Sequence, residues 1–290
     1  MIMKDRPTRI LFISQEIYPY LAEETEMRVL NRKLPEFCQA NGCETRTFMP
    51  KFGEINERRN QLHEVIRLSG MNVIIEDTDH PLLLKVASIQ SARIQFYFID
   101  NDDYFRRRKG VMDEDGIEYA DNDERTIFFA RAVLETVSKL RWTPDIVHCS
   151  GWMTSLVPLY LKKAYADTPF FENTKVVFSL YDQTMNRAFP ENFARKLKME
   201  GVTDEDLRSI ADRRVTYTSL MHLAIDNSDA VVQACSVIPR AMQEYIAQSG
   251  KIFVPYPGDN TKTYLDFYRQ LVAPQKKDET AENDNVTVDK

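Results

Sequence analysis

Cysteine is scarce: Cys38, Cys43, Cys149 and Cys235 are the four in 290 residues, and none is spaced Cys-x-x-Cys. That excludes a disulfide framework and a structural zinc site, and the two that sit inside apolar runs read as reduced, buried thiols. The four histidines, His63, His80, His148 and His222, include no His-x-x-x-His pair and no supporting Asp/Glu cluster, so no metal and no other cofactor is expected. No apolar run approaches the ~18 residues of a membrane span. The opening Met1-Ile2-Met3-Lys4 lacks the apolar segment of a signal peptide, and the expectation is a cytoplasmic protein with no membrane partner. Positive charge is also in deficit, with 38 Lys and Arg against 44 Asp and Glu and a net charge of −6. There is therefore no electrostatic footprint for nucleic acid or anionic lipid. The local runs Arg58-Arg59 and Arg106-Arg107-Arg108-Lys109 read as solvated faces. No repeat of 20–50 residues is visible, which excludes a solenoid.

What is present suits a large core: 43% apolar and 11% aromatic residues. Thr8 to Ser14 is a nearly continuous apolar run, the mark of a strand buried on both faces of a parallel sheet. From Glu24 to Asn41, Met27, Leu30, Leu34 and Phe37 recur at helical spacing, Pro35 is a potential kink, and Asn41-Gly42 is a stop. With the strand Glu44 to Met49 this makes a β-α-β unit. The runs Asn72 to Glu76, Leu82 to Ile89 and Arg93 to Ile99 read as an antiparallel meander inserted at the sheet edge. Helix-strand alternation then resumes: a helix from Asp121 to Leu140, a strand Asp145 to Cys149, a helix Trp152 to Tyr165, and a strand Lys175 to Leu180. Helices from Glu191 to Ile225 lead to a strand Ala230 to Gln233, a helix Val237 to Gln248, a strand Ile252 to Val254 and a helix Thr261 to Leu271. The predicted fold is α/β: one Rossmann-like, doubly wound, mainly parallel sheet over residues 1–273, followed by a disordered polar tail at 274–290.

In such a sheet ligands bind at the C-terminal strand ends, and those loops resemble the N-terminal lobe of bacterial glycogen and starch synthases, the family 5 glycosyltransferases. The likeness rests on Glu16 and Pro19 after the first strand, Met49-Pro-Lys-Phe-Gly53, and Tyr97-Phe-Ile-Asp-Asn101 with Tyr104-Phe105. It continues in Asp121-Asn122 with Glu124-Arg125, Pro144-Asp-Ile-Val-His148, and Trp152 with Thr154 and Leu156-Val-Pro-Leu-Tyr-Leu161. The resemblance implies a GT-B fold, in which one lobe holds the α-1,4-glucan and a second holds ADP-glucose. It also implies retaining glucosyl transfer without a required metal, with basic side chains and backbone amides stabilising the departing diphosphate.

The chemical positions depart from that pattern. Where relatives carry Lys-Thr-Gly-Gly-Leu-Ala-Asp, this chain has Ala22-Glu23-Glu24-Thr25-Glu26, which cannot cradle a phosphate. The family's His-Asp-Trp-His becomes Ser150-Gly151-Trp152-Met153, and its Thr-Ile-His-Asn becomes Ser179-Leu180-Tyr181-Asp182. A tyrosine with a pKa near 10 cannot replace an imidazole. About fifty residues follow Pro239, against the ~150 of another Rossmann lobe. No catalytic residue is therefore assigned. The candidate glucan-binding residues are Glu16, Trp152, Thr154, Tyr181 and Asp182, with Glu16 left between substrate contact and loop structure and Trp152 between a glucan face and helix-start packing. Tyr18 and Tyr20 are further aromatic candidates. His148 reads as a satisfied core histidine, and Asp121-Asn122 as a helix N-cap.

Three functional readings remain open. The first is a glycogen or starch synthase-like protein whose acceptor-side lobe binds glucan and is inactive alone. The second is half of a split ADP-glucose:α-1,4-glucan glucosyltransferase completed by a partner chain that supplies the donor lobe. The third is a structural partner with no sugar site.

Overall fold

The computed structural model describes residues 6–273; the tail assigned to 274–290 lies outside them. The chain opens with β1 (Arg9–Ser14), α1 (Glu26–Ala40) and β2 (Glu44–Pro50). The short β3 (His63–Glu64) precedes β4 (Met71–Ile75), β5 (Thr78–Ile89) and β6 (Ile94–Asp100). Next come α2 (Asn122–Lys139), β7 (Ile146–Ser150), α3 (Leu156–Lys162) and β8 (Lys175–Leu180). Three helices, α4 (Phe193–Lys196), α5 (Asp204–Leu207) and α6 (Tyr217–Asp226), lead to β9 (Ala230–Gln233). The chain closes with α7 (Arg240–Ser249), β10 (Ile252–Val254) and α8 (Thr261–Leu271). The sheet order is β10-β9-β8-β7-β1-β2-β6-β5-β3, with β4 paired to β5.

Neighbours from β10 to β6 run parallel, so successive side chains point to opposite covered faces. On one face Ile10, Phe12, Ile146, Val177 and Val232 pack with Leu30 and Leu34 of α1 and with Tyr264 and Tyr268 of α8. On the other, Leu11, Ile13, Val147 and Phe178 share a core with Phe128, Leu159 and Leu220 from α2, α3 and α6. This is the doubly wound architecture the strand runs predict. Thr25 caps α1 by accepting from the Arg28 amide at 3.2 Å. Pro35 sits inside α1 without ending it.

Three details differ from the sequence-based expectation. The three runs pair antiparallel as expected, β4 with β5 and β5 with β6, but β6 also pairs parallel to β2 and so belongs to the main sheet. Its reason is composition: all of β6 but Gln95 is buried, which is how an interior strand reads. The helix expected from Trp152 breaks into a 3₁₀ turn, Trp152–Thr154, and α3. Asp121 holds the expected N-cap position of α2 but makes no side-chain capping bond. Asp121 meets Arg108 at 3.3 Å, and Asn122 donates to the Val111 carbonyl at 2.9 Å.

The Glu124-Arg125 pair is part of the same scaffold. Arg125 is fully buried without a carboxylate partner among the described residues, and donates to the carbonyls of Tyr104 and Gly110, each at 2.7 Å, and to Asn122 Oδ1 at 2.5 Å. Its guanidinium lies over the rings of Phe105 and Tyr119 at 5.4 and 5.3 Å. Burial draws its pKa down to about 10. Beside it, Lys196 of α4 bridges Asp123 at 2.8 Å and Glu124 at 2.6 Å, so the helix start is tied to a distant segment. The basic run Arg106–Lys109 meets carboxylates throughout: Arg106 pairs with Asp100 and Asp102, Arg107 with Asp103, Arg108 with Asp121, and Lys109 with Glu114.

Candidate functional site

Four adjacent parallel strands deliver their C-terminal ends to one edge. Gln15-Glu16 leave β1, Gly151 leaves β7, Tyr181-Asp182 leave β8 and Ala234-Cys235 leave β9. Gly151 makes the β7 exit work, since its φ is +90° and a Cβ there would lie 2.7 Å from Gln15 Cβ. The resulting close approach lets Gln15 Oε1 accept from the Met153 amide at 3.2 Å.

Two recesses flank Tyr181, Asp182 and Gln183. One, of about 370 Å³, is closed by the start of α6 (Thr216, Tyr217) and the start of α7 (Ile238, Met242). The other, of about 250 Å³, is closed by Glu16, by Thr25 to Met27 at the start of α1, and by Cys235. Neither recess has a lysine or arginine in its lining.

Arg28, beside the smaller recess, is already engaged. Arg28 Nε donates to Glu16 Oε2 at 2.7 Å, and its Nη1 donates to the Glu23 carbonyl at 3.1 Å. Glu16 is held from a second side, as its carbonyl accepts from Asn31 Nδ2 at 3.0 Å. Glu26 accepts from the hydroxyl of Tyr256, while Glu23 and Glu24 are exposed. Asp182 is exposed and makes no ion pair among the described residues. Three carboxylates, Glu16, Glu26 and Asp182, thus line one small recess, and burial near Glu16 raises the pKa of neighbouring Glu54.

The predicted site residues divide into two groups. Glu16, Tyr181 and Asp182 are brought together at the smaller recess. Trp152 and Thr154 are not: Trp152 is 3% exposed and packs edge-to-face on Phe189, and the Thr154 hydroxyl donates to the Gly151 carbonyl at 2.7 Å. Tyr181 lies at the recess with only 7% exposure, its ring against Met27 and Ala234. Its hydroxyl sits next to Ser150 without an aligned hydrogen-bond partner, and burial raises its pKa well above the ordinary value. Tyr20 is buried against Phe96 and Phe98. No exposed aromatic platform forms from Trp152, Tyr181 or Tyr20.

His148 occupies the middle of β7, beneath this edge. Its Nε2 lies 2.6 Å from Ser179 Oγ, and its Nδ1 is hydrogen-bonded to the hydroxyl of Tyr268 from α8. Complete burial lowers its pKa to about 3. Ser179, His148 and Tyr268 are all sealed from solvent, which makes the trio a structural network with no route to a substrate.

Comparison with known proteins gives this edge a family. The starch synthase catalytic domain matches residues 9–246. The chain belongs to that family. Glycogen synthase from Chlorobium limicola is 32% identical over 244 residues, covering 84% of this chain and 50% of that protein. Its counterpart from Chlorobium chlorochromatii is 38% identical over 200 residues, covering 68% and 41%. Among solved structures, the catalytic domain of starch synthase IV from Arabidopsis thaliana, bound to ADP and acarbose, aligns with a TM-score of 0.67 at 17% identity. That alignment covers 87% of this chain and 51% of the other, and it shows the fold, a lobe of the GT-B type. The chain spans about half the length of the curated relatives it matches.

Within this starch synthase family lobe, several site residues escaped sequence reasoning. Tyr217 donates from its hydroxyl to the Tyr181 carbonyl at 3.0 Å and walls the larger recess. Glu118, far away in sequence, accepts from the amides of Asn186 and Arg187 at 2.9 and 2.6 Å and so pins the loop that follows Asp182. Gln183 accepts from the Trp152 amide at 3.2 Å, tying the β7 and β8 exits together. Only Gln183, next to Asp182, carried a local signal; Tyr217 and Glu118 become legible once the chain is folded. Among the described residues no group of His, Cys, Asp and Glu is arranged to hold a metal ion, and no helix is long and apolar enough to cross a membrane.

Proposed function

We propose that this lobe binds neutral α-1,4-glucan as an acceptor-side component of glycogen or starch metabolism, and that the 290-residue chain alone does not transfer glucose from ADP-glucose. The observation that carries this reading is the lining of the two recesses, which offers carboxylates, amides, hydroxyls and apolar surface but no cation. A diphosphate brought to ~4 Å from one of these carboxylates meets a repulsion of about 1 kcal/mol in water and about 4 kcal/mol at a protein surface. A neutral sugar meets none. Asp182, Gln183 and Thr216 supply hydrogen-bonding groups, and Tyr217, Ile238 and Met242 supply flat apolar area for sugar C–H faces. The recesses are open, so a single oligosaccharide binds at about millimolar strength, or about 4 kcal/mol, and branched glycogen gains by avidity.

Co-sedimentation with glycogen tests the binding. Wild type should pellet, and Asp182→Ala, which removes an exposed carboxylate without an ion pair among the described residues, should pellet less while melting normally. Wild type remaining in the supernatant sinks the glucan reading and leaves a structural partner without a sugar site. Radiolabelled ADP-glucose tests the second half, and incorporation above a no-protein control refutes it. One further reading is a split glucosyltransferase whose donor lobe comes from another chain. It requires that adding such a partner restores incorporation.

A further inference from the structure

The C-terminal end of α1 brings together two thiols that the glucan site does not use. After Ala40 the chain turns through Asn41 and Gly42, the latter at φ +88°. The Gly42 amide donates to the Gln39 carbonyl at 3.3 Å, and the Cys43 amide donates back to the Cys38 carbonyl at 3.0 Å. This pair of bonds is a Schellman cap, whose first and last positions place their side chains in contact. Here those positions are Cys38 and Cys43. Both thiols are free and belong to one buried cluster beneath Tyr268 of α8. The 3.0 Å bond also limits the separation of their Cα atoms to about 7 Å, at the edge of the range a disulfide spans.

We infer that Cys38 and Cys43 are a redox-modification site, closing to a reversible disulfide when the protein meets a peroxide. The two thiols have distinct roles. Cys43 is the more accessible, at 6% exposed against 0% for Cys38, and the guanidinium of Arg269 is held nearby by its bond to the Asn41 carbonyl at 3.0 Å. Contact with Cys38 and the charge of Arg269 favour the Cys43 thiolate, while the same contact and burial push the Cys38 thiol up. The Cys43 thiolate attacks one oxygen of hydrogen peroxide, the O–O bond breaks, and Cys43 becomes a sulfenic acid as hydroxide leaves and is protonated to water. The Cys38 sulfur then attacks the Cys43 sulfur, its proton goes to the departing hydroxyl, and a second water leaves. Two thiols and one peroxide thus become one disulfide and two waters. The remaining cysteines are placed differently: Cys149 is enclosed within β7, and Cys235 points its thiol at the Val237 and Leu180 carbonyls at 3.2 and 3.7 Å.

The full chain in its native state is treated with hydrogen peroxide, quenched, unfolded and titrated with Ellman's reagent. The titre should fall from four thiols to two and return to four after dithiothreitol. Cys38 and Cys43 share the tryptic peptide 34–46, which should become two hydrogens lighter. Cys43→Ser should retain all its thiols. A titre that stays at four under conditions that oxidise free cysteine overturns the inference. So does a disulfide that maps elsewhere, or peptide 34–46 gaining oxygen without losing hydrogen. If Cys43→Ser does not fold, the mass of the wild-type peptide decides the question alone.

Discussion

His148 should make the folded lobe labile to acid in a defined window. Its ring is sealed between Ser179 and Tyr268, with Nε2 2.6 Å from the serine oxygen. In the neutral ring one nitrogen donates and the other accepts, and both needs are met. Protonation would turn the accepting nitrogen into a second donor inside a dry core. Burial lowers the folded pKa from 6.5 to about 3. The unfolded chain binds this proton more readily, so the contribution to stability is complete above pH 6.5 and is lost as the pH falls toward 3. The slope is about 1.4 kcal/mol per pH unit, which amounts to about 2 kcal/mol by pH 5 and about 5 kcal/mol by pH 3. Urea unfolding of wild type and His148→Gln at pH 7.5 and pH 5 isolates the effect from other titrating groups. The glutamine variant should be less stable at pH 7.5, through lost packing and hydrogen bonds, but the gap should shrink by about 2 kcal/mol at pH 5. A gap that stays constant or widens on acidification would falsify the assignment of a neutral, buried imidazole.

Three other perturbations have definite expected outcomes. Trp152→Ala removes a buried ring from against Phe189 and should cost about 3–5 kcal/mol in chemical denaturation, while the fraction that remains folded sediments with glycogen as wild type does. Glu118→Gln replaces a carboxylate that accepts two amides with a group that can present a donor to one of them; hydrogen exchange at Asn186 and Arg187 should quicken, with a loss of about 1–3 kcal/mol, and unchanged exchange would count against the clamp. Gly151→Ala forces a Cβ to within 2.7 Å of Gln15 Cβ at φ +90°; a drop of at least about 1 kcal/mol in unfolding free energy is expected, and a neutral substitution would show that the β7 exit is not tightly packed.

The sheet was legible in the sequence because its strands are buried on both faces. Thr8 to Ser14 and Lys175 to Leu180 read as unbroken apolar runs, and a run of that length between turn residues has few other solutions. β6 shows the limit of this reasoning. Its apolar run was visible, but whether it paired parallel to β2 or only within a meander depended on a partner 50 residues upstream. The helices between β8 and β9 were blurred for a different reason: α4 and α5 are four residues each, too short for a 3.6-residue period to register.

The site was legible in its position and in its charge, and much less so in its surfaces. That ligand chemistry belongs at the ends of β1, β8 and β9 follows from the topology, and the acidity of Ala22 to Glu26 stands in the sequence itself. Which way an aromatic ring points does not. Trp152 follows a strand end, where exposure is a fair expectation, but Gly151 turns the chain into a 3₁₀ turn that carries the ring beneath Phe189, 37 residues later. Tyr181 is drawn inward by Met27, in the first turn of α1, and by Ala234, just after β9. Arg28's bond to Glu16, only 12 residues away, was equally hidden, because it depends on how the β1 exit loop meets the start of α1. Without that bond, Arg28 would be free to face a phosphate at this mouth. With it, Glu16 and Arg28 neutralise one another, and the carboxylates of Glu26 and Asp182 leave the smaller recess negative. Such a field disfavours a charged donor while leaving a neutral polymer unaffected. On the proposed reading, selection against a charged donor depends on the Glu16–Arg28 pair, and Glu16→Gln, by loosening Arg28, should weaken it: any residual affinity for ADP-glucose in a binding titration should rise, with glycogen co-sedimentation unchanged.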